Sequence, residues 1–315
     1  MLSDMGKVLI TEELAESGLD LRRAQGHDVQ VRLDLSAADL RSYISEVDAL
    51  IVRSATQVDA QLLEVANKLQ VVGRAGVGLD NVDTSAATAR GILVCNAPES
   101  NVVSAAEHSV GLLLALARNV AQAHGALAEG RWERSLWTGV ELLNKTVGIV
   151  GLGRVGRLVA KRLSGFDMQI LAFDPFVSPE SAREVNVEMV ELDELLGRSD
   201  FVTVHLPKTE ETVGLFDASR FSKFKSGAFL VNAARGGVIV ENDLVDALSK
   251  GQLAGAALDV FDTEPKLDSP LFGRADVLVT PHLGASTNEA QDRAGLTIAE
   301  QVALALDGDF VPFAV

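Results

Sequence analysis

The chain has 315 residues, and 28 basic against 44 acidic side chains leave a formal net charge of −16. At roughly 100–200 residues per domain this length suggests two domains, and 47% hydrophobic residues can bury real cores, which excludes intrinsic disorder. The acidic balance excludes the broad basic field that a nucleic-acid or anionic-membrane surface needs, so neither is expected as a partner.

Cys95 has no second thiol for a disulfide or a zinc site, which fits a reducing compartment. The apolar run Val8–Ile10 is too brief for a signal-peptide core, and Val110–Ala117 falls far short of a membrane span. The expected location is the cytoplasm.

Short runs rich in Val, Ile and Leu recur between amphipathic stretches, the pattern of parallel strands joined by crossover helices. Strands are predicted at about 7–11, 28–33, 48–53, 70–73 and 91–95, followed by one long helix over about 102–128. A second series starts near 146 and continues at about 169–174, 200–205, 228–233, 255–260 and 276–280, before a last helix over about 287–307. No Pro/Ser linker separates the two series, so the domains are expected to share long helices. If the last helix returns to the first series, the domains are 1–97 plus 283–315 and 98–282. The fold class read from this is α/β, two Rossmann-like domains with parallel sheets, the first discontinuous in sequence.

At the head of the second series, TVGIVGLGRVG carries Gly151, Gly153 and Gly156 in G-x-G-x-x-G spacing. The first glycine permits a tight turn, the second admits a pyrophosphate to the backbone, and the third lets helix and strand pack closely. A helix opening there aims its N–H groups at phosphate, with Arg154 and Val155 against the diphosphate. The spacing alone is weak, and spare glycines in an ordinary strand–turn–helix would match it. Here a second apolar run follows and ends in Asp174, 18 residues past Gly156, close to the place of a ribose-binding carboxylate. Such an acid repels a 2′-phosphate, so the expected cofactor is NAD rather than NADP.

Three further strand ends carry chemistry: Arg235 in FLVNAARGG, Asp259 and Glu264 in ALDVFDTEP, and His282 in VTPHLGAS. Singly they read as a surface ion pair, a solvated turn and a structural histidine. Together they supply what oxidation of a 2-hydroxy acid needs. Histidine takes the hydroxyl proton, a carboxylate beside it favours the imidazolium, and arginine clamps the substrate acid.

With these residues in hand, the chain resembles the D-isomer-specific 2-hydroxyacid dehydrogenases, and within them the branch acting on a phosphorylated acid. The likeness extends over essentially the whole chain, including VVGRAGVGLDNVD, NAPESNVVSAAEH, GRWER, NAARGG, GAALDVF and PHLGAST. It implies Arg235, Glu264 and His282 as the catalytic set. It implies cofactor contacts at Arg154, Val155, Asp174, Leu206, Ala233, Ala234, Arg235, Asp259, His282, Leu283, Gly284 and Ala285. Val77 and Leu206 stand where some relatives carry threonine, so a side-chain hydrogen bond is lost there. The discontinuous domain becomes the substrate domain, with Arg53, Arg74 and Asn101 joining Arg235 and His282 around the substrate. Arg134 matches a position that reaches the substrate phosphate of a neighbouring subunit, which implies a homodimer or higher homo-oligomer built partly on 102–140.

A reductase of glyoxylate or hydroxypyruvate, and a non-enzymatic NAD-sensing scaffold, are the competing readings. His108 is expected to be packed and hydrogen-bonded, His205 to meet the nucleotide through its backbone, and His27 and His124 to lie at surface or helix positions. No histidine pair has metal-ligand spacing, so no metal is proposed. The tail DFVPFAV is read as an exposed apolar end, Val311, Phe313 and Val315 included, and as a cut before a serine-binding regulatory module. Turnover is then expected without inhibition by L-serine.

Overall fold

The computed structural model describes residues 6–14 and 26–315. Its contacts divide the chain into two compact units, Met1–Asn101 with Ala285–Val315, and Val102–Gly284. The first is therefore discontinuous.

In the discontinuous unit, β1 (Lys7–Ile10), β2 (Asp28–Val31), β3 (Ala49–Val52), β4 (Val71–Arg74) and β5 (Leu93–Asn96) form a sheet ordered β2-β1-β3-β4-β5. Every pairing is parallel. Side chains alternate across a strand, and both faces are covered, which is why these runs read as continuously apolar. Leu9, Leu50, Val52, Val72 and Val94 fill one core, and Val8, Ile10, Ala49, Ile51, Val71 and Cys95 the other.

The second core is closed by the helix Asn288–Asp307, capped by the Thr287 side chain and ended by Gly308 at φ 74°. Gly73 is where that helix comes closest, since a Cβ there would lie 2.6 Å from Val302 Cγ2 and 2.9 Å from Ile298 Cγ1.

The apolar tail is only partly exposed as the sequence suggested: Val315 stays 66% exposed and Phe313 is half-buried, but the segment is bonded into the unit. Val311 is 7% exposed, the Val315 N–H donates to Val94 O at 2.9 Å, and Phe313 N–H donates to the Gln301 side chain. The residues counted as a loose apolar end thus add to β5 and the helix above it.

In the second unit, β6 (Thr146–Val150), β7 (Gln169–Phe173), β8 (Glu188–Met189), β9 (Phe201–Val204), β10 (Ala228–Asn232), β11 (Leu253–Leu258) and β12 (Val277–Val279) are ordered β12-β11-β10-β9-β6-β7-β8. This all-parallel sheet reverses its winding between β6 and β9, the crevice where doubly wound sheets bind ligands.

The single helix expected over 102–128 is two, Val102–Ala117 and Val120–Ala128. Asn119 adopts φ 52° between them. Asparagine tolerates the left-handed region better than most residues, so the break needs neither Gly nor Pro. Among the described residues, no helix is long and apolar enough to cross a membrane.

Because Gly73 already touches two fully buried side chains, Gly73→Ala is expected to destabilise the discontinuous unit by about 1–3 kcal/mol, read as a lower urea midpoint. An unchanged midpoint would mean the helix yields without cost.

Candidate active site

All the strands of the second unit run one way, so their carboxyl ends share one edge of the sheet. Gly151 leaves β6 at φ 98°, and a Cβ there would stand 2.7 Å from His205 O at the end of β9. Gly156, in the first turn of the helix Arg154–Leu163, has no room for a Cβ because it would collide with Gly151 O. Gly153 caps that helix with no side-chain bond, and a Cβ on it would meet nothing within 4 Å. The first N–H groups thus open onto free space, a cradle that fits a diphosphate. Arg154 is exposed and Val155 half-buried at the head of the helix.

Asp174 follows β7 and is tied on both sides. Its Oδ2 accepts from Leu152 N at 2.8 Å and its Oδ1 from Phe176 N at 2.9 Å. The carboxylate is fixed beside the glycine turn with further lone pairs to offer, which fits a ribose diol. Leu206 packs at the Gly151 turn.

At the end of β10, the buried Asn232 side chain makes a local turn, accepting from Ala234 N at 3.1 Å and donating to Arg235 O at 3.0 Å. Ala233 and Ala234 are half-buried in that turn, and Arg235 Nη1 donates to Ala234 O at 2.8 Å. The next residue, Gly236, has no space for a Cβ because it would run into the backbone of Phe261. That glycine lets the Arg235 turn lie directly on the loop after β11.

The β11 loop carries two acids in different states. Asp259 is fully buried, and its carboxylate accepts from Thr280 Oγ1 (2.6 Å), Leu283 N (2.7 Å) and Gly284 N (2.8 Å), with His108 Nε2 at 3.1 Å. In this structure it therefore acts on the 280–284 loop and presents no surface of its own. Glu264 is partly exposed, accepting from Phe261 N at 2.9 Å and from His282 Nδ1 at 2.6 Å.

Burial pushes the Glu264 carboxyl up, but the bonds from His282 and Phe261 outweigh it and hold the group below its ordinary value. The same bond raises His282 above its ordinary value, against partial desolvation. An ionised carboxylate only accepts, so Nδ1 carries a proton. In the neutral ring the lone pair is then on Nε2, which has no partner among the described residues.

The other expected positions divide between the units. Arg53 and Arg74 stand at the ends of the neighbouring strands β3 and β4, with Arg53 Nη1 donating to Glu13 O at 3.3 Å and the Arg74 guanidinium lying over Gly76. Asn101 is half-buried, Arg134 is exposed, and Ala285 opens the returning segment of the discontinuous unit.

The half-buried His205 turns its ring back onto its own strand. Nε2 pairs with Thr203 Oγ1 at 3.0 Å, and burial pushes its pKa down to about 4.

Sequence reasoning missed Asn232, Thr280 and Glu12. The Asn-Ala-Ala run after a strand was the available signal for the first. Glu12 accepts from Arg53 N, Ala55 N and Thr56 N at 2.9, 3.1 and 3.0 Å, while Asn81 Nδ2 donates to Arg53 O and Thr56 O. These bonds outweigh burial and keep Glu12 below its ordinary pKa.

Residues 110–284 match the family model described as D-isomer specific 2-hydroxyacid dehydrogenase, NAD binding domain. The chain belongs to the D-isomer specific 2-hydroxyacid dehydrogenase family. Its glycine-loop unit is the family's NAD-binding domain.

Similar curated proteins include the D-3-phosphoglycerate dehydrogenases of Mycobacterium tuberculosis, 55% identical over 98% of this chain, and of Archaeoglobus fulgidus, 47% identical over 94%. The chain spans 58% and 56% of those two proteins. Among solved structures, the TT0316 protein of Thermus thermophilus is 34% identical with a TM-score of 0.90, covering 98% of this chain and 99% of that one. The D-lactate dehydrogenase of Aquifex aeolicus, solved with NAD and lactic acid, is 26% identical with a TM-score of 0.84, over 96% of both chains.

The geometry fixes a sign for the titration of His282. Followed by NMR, its imidazole is expected to titrate above the roughly 6.5 of a free histidine, and Glu264→Gln is expected to bring it down. A titration that Glu264→Gln leaves unmoved would remove the carboxylate as the cause.

Proposed function

We propose that the chain catalyses NAD-dependent oxidation of 3-phospho-D-glycerate to 3-phosphohydroxypyruvate, the opening step of the phosphorylated route to L-serine. The observation that carries the chemistry is the 2.6 Å His282–Glu264 pair beside the Arg235 turn in an NAD-binding unit. The choice of substrate is supported by the names of relatives 47–55% identical to nearly all of this chain.

Arg235 binds the substrate carboxylate and turns the C2 hydroxyl toward Nε2 of His282. That nitrogen accepts the hydroxyl proton as the C2–H bond breaks and the C2=O bond forms. Glu264 keeps Nδ1 protonated and stabilises the imidazolium that results. Bound NAD supplies the acceptor for the hydride. For the reverse reduction the imidazolium returns its proton to the carbonyl oxygen.

Gly151, Gly153, Arg154, Val155 and Gly156 would hold the diphosphate and Asp174 the adenosine ribose. Leu206, Ala233, Ala234 and Leu283 to Ala285 would line the rest of the dinucleotide. The discontinuous unit would bind substrate, with Arg53, Arg74 and Asn101 facing the acid and its phosphate.

We also read 102–140 as a contact with a second copy whose Arg134 completes the phosphate site. Val120, Leu127, Trp132 and Leu136, exposed at 55, 55, 80 and 67%, support that reading because large exposed apolar side chains recurring within one short stretch favour association. The cytoplasm is the location that suits the chemistry.

NADH formation from 3-phosphoglycerate at alkaline pH, run beside D-lactate and with glyoxylate in reverse, tests the substrate. Preference for either unphosphorylated acid would overturn it. His282→Ala is expected to cut kcat about 10²- to 10⁴-fold, and near-native turnover would overturn its role. Asp174→Ala is expected to narrow the preference for NAD over NADP through Kd. A wild-type protein that binds both equally would end that reading of the carboxylate.

A further inference from the structure

His108 lies outside the set of residues that would touch substrate or cofactor, yet it is the imidazole beside the buried acid on which the His282 loop hangs. We infer that His108 is a positioning residue for proton transfer, acting through the Asp259 carboxylate on the backbone that carries His282. The inference rests on the reading of His282 as the acid–base group.

His108 occupies the second turn of the helix Val102–Ala117. Its Nε2 stands 3.1 Å from Asp259 Oδ1 and 3.2 Å from Thr280 Oγ1. The Asp259 carboxyl is held below its ordinary value because the bonds from His108, Thr280 and Leu283 outweigh burial, so it is ionised and only accepts. The single hydroxyl proton of Thr280 goes to Oδ1 at 2.6 Å. Neither oxygen has a proton left for His108, so Nε2 must be the donor.

That fixes Nε2 as a hydrogen-bond donor to the buried carboxylate. The Asp259 side chain is 0% exposed, and water cannot replace a bond lost there.

Asp259 then holds three consecutive residues. Its backbone oxygen accepts from His282 N at 2.8 Å, Oδ1 from Leu283 N, and Oδ2 from Gly284 N. His282 itself sits at φ 55°, a left-handed conformation that few non-glycine residues adopt without outside support. Turning the carboxylate therefore moves the Cα of His282, whose ring is held among the described residues by its bond to Glu264. A displacement of about 1 Å at a proton-transfer group costs on the order of 100-fold in rate. A role confined to stability would lower Tm for any replacement and leave the kcat of folded protein alone.

The test compares His108→Leu, His108→Gln and Thr280→Val with wild type and His282→Ala, measuring kcat, KM, NADH Kd by calorimetry, and Tm. His108→Leu and Thr280→Val are expected to lower kcat about 10- to 100-fold, a loss well beyond any accompanying change in NADH Kd. His108→Gln, which keeps an N–H donor at similar reach, is expected to regain most of it. Folded His108→Leu with native kcat, or equal losses in the Leu and Gln variants, overturns the inference. If His108→Leu does not fold, native kcat in Thr280→Val overturns it equally. An active His282→Ala would instead end the acid–base reading and this inference with it, whereas an inactive His282→Ala beside a fully active His108→Leu ends the positioning role alone.

Discussion

The constraint behind the whole arrangement is that every strand in both sheets runs parallel to its neighbours. A parallel strand needs a crossover to return the chain, so each successive strand delivers its last residues to the same edge. In the NAD-binding unit this brings Gly151, Asp174, His205, Arg235, Asp259 and His282 to one rim although more than a hundred residues of chain separate them. Backbones converging there leave no space for side chains between them. Gly151 against His205, Gly156 against Gly151 and Gly236 against Phe261 are three places where a Cβ would force the backbones apart.

In each unit, taken by itself, acids hold the carboxyl ends of the sheet. Glu12, past β1, takes three N–H groups of the loop after β3. Asp174, past β7, takes Leu152 N after β6, and Asp259, past β11, takes two N–H groups after β12. At the opposite ends, Asp48 takes Lys7 N and Asp200 takes Thr146 N. Each carboxylate binds the loop or start of a neighbouring strand, and for Glu12, Asp200 and Asp259 these N–H groups help hold the acid below its ordinary value against burial. Several of the acids behind the net charge of −16 are thus part of the sheet's own bonding. The same charge argues at the level of composition only against polyanion partners.

Strands and crossovers were legible in the sequence because burial on both faces leaves runs such as VLI, LIV and LVC with nothing polar in them. The glycine turn, Asp174, Arg235, Glu264 and His282 were legible because each ends such a run. What escaped were features set by contact rather than by pattern. The two-residue strand β8 is too short to make a period, and Asn119 breaks a helix through a backbone angle that its neighbours do not announce. The tail read as exposed because its apolar residues have no periodicity, yet pairing with β5 buries Val311. Glu12 and Thr280 look like ordinary polar residues until their partners, 41 and 21 positions away, are known.

Asp259 and Glu264 show most directly how surroundings rather than residue type set a role. They lie five residues apart on one loop and are both kept ionised, but by different donors. Asp259 is enclosed by the hydroxyl, imidazole and two N–H groups that satisfy it, so its charge is spent inside the fold and its consequence is geometric. Glu264 receives one backbone N–H and otherwise faces His282 at a partly open position, so its charge acts on a ring that can gain and lose a proton. On the proposed reading of His282 as the acid–base group, one acid holds its backbone still and the other tunes its proton affinity. Exchanging their environments would leave a histidine that is either tuned but loose, or fixed but no more basic than in water.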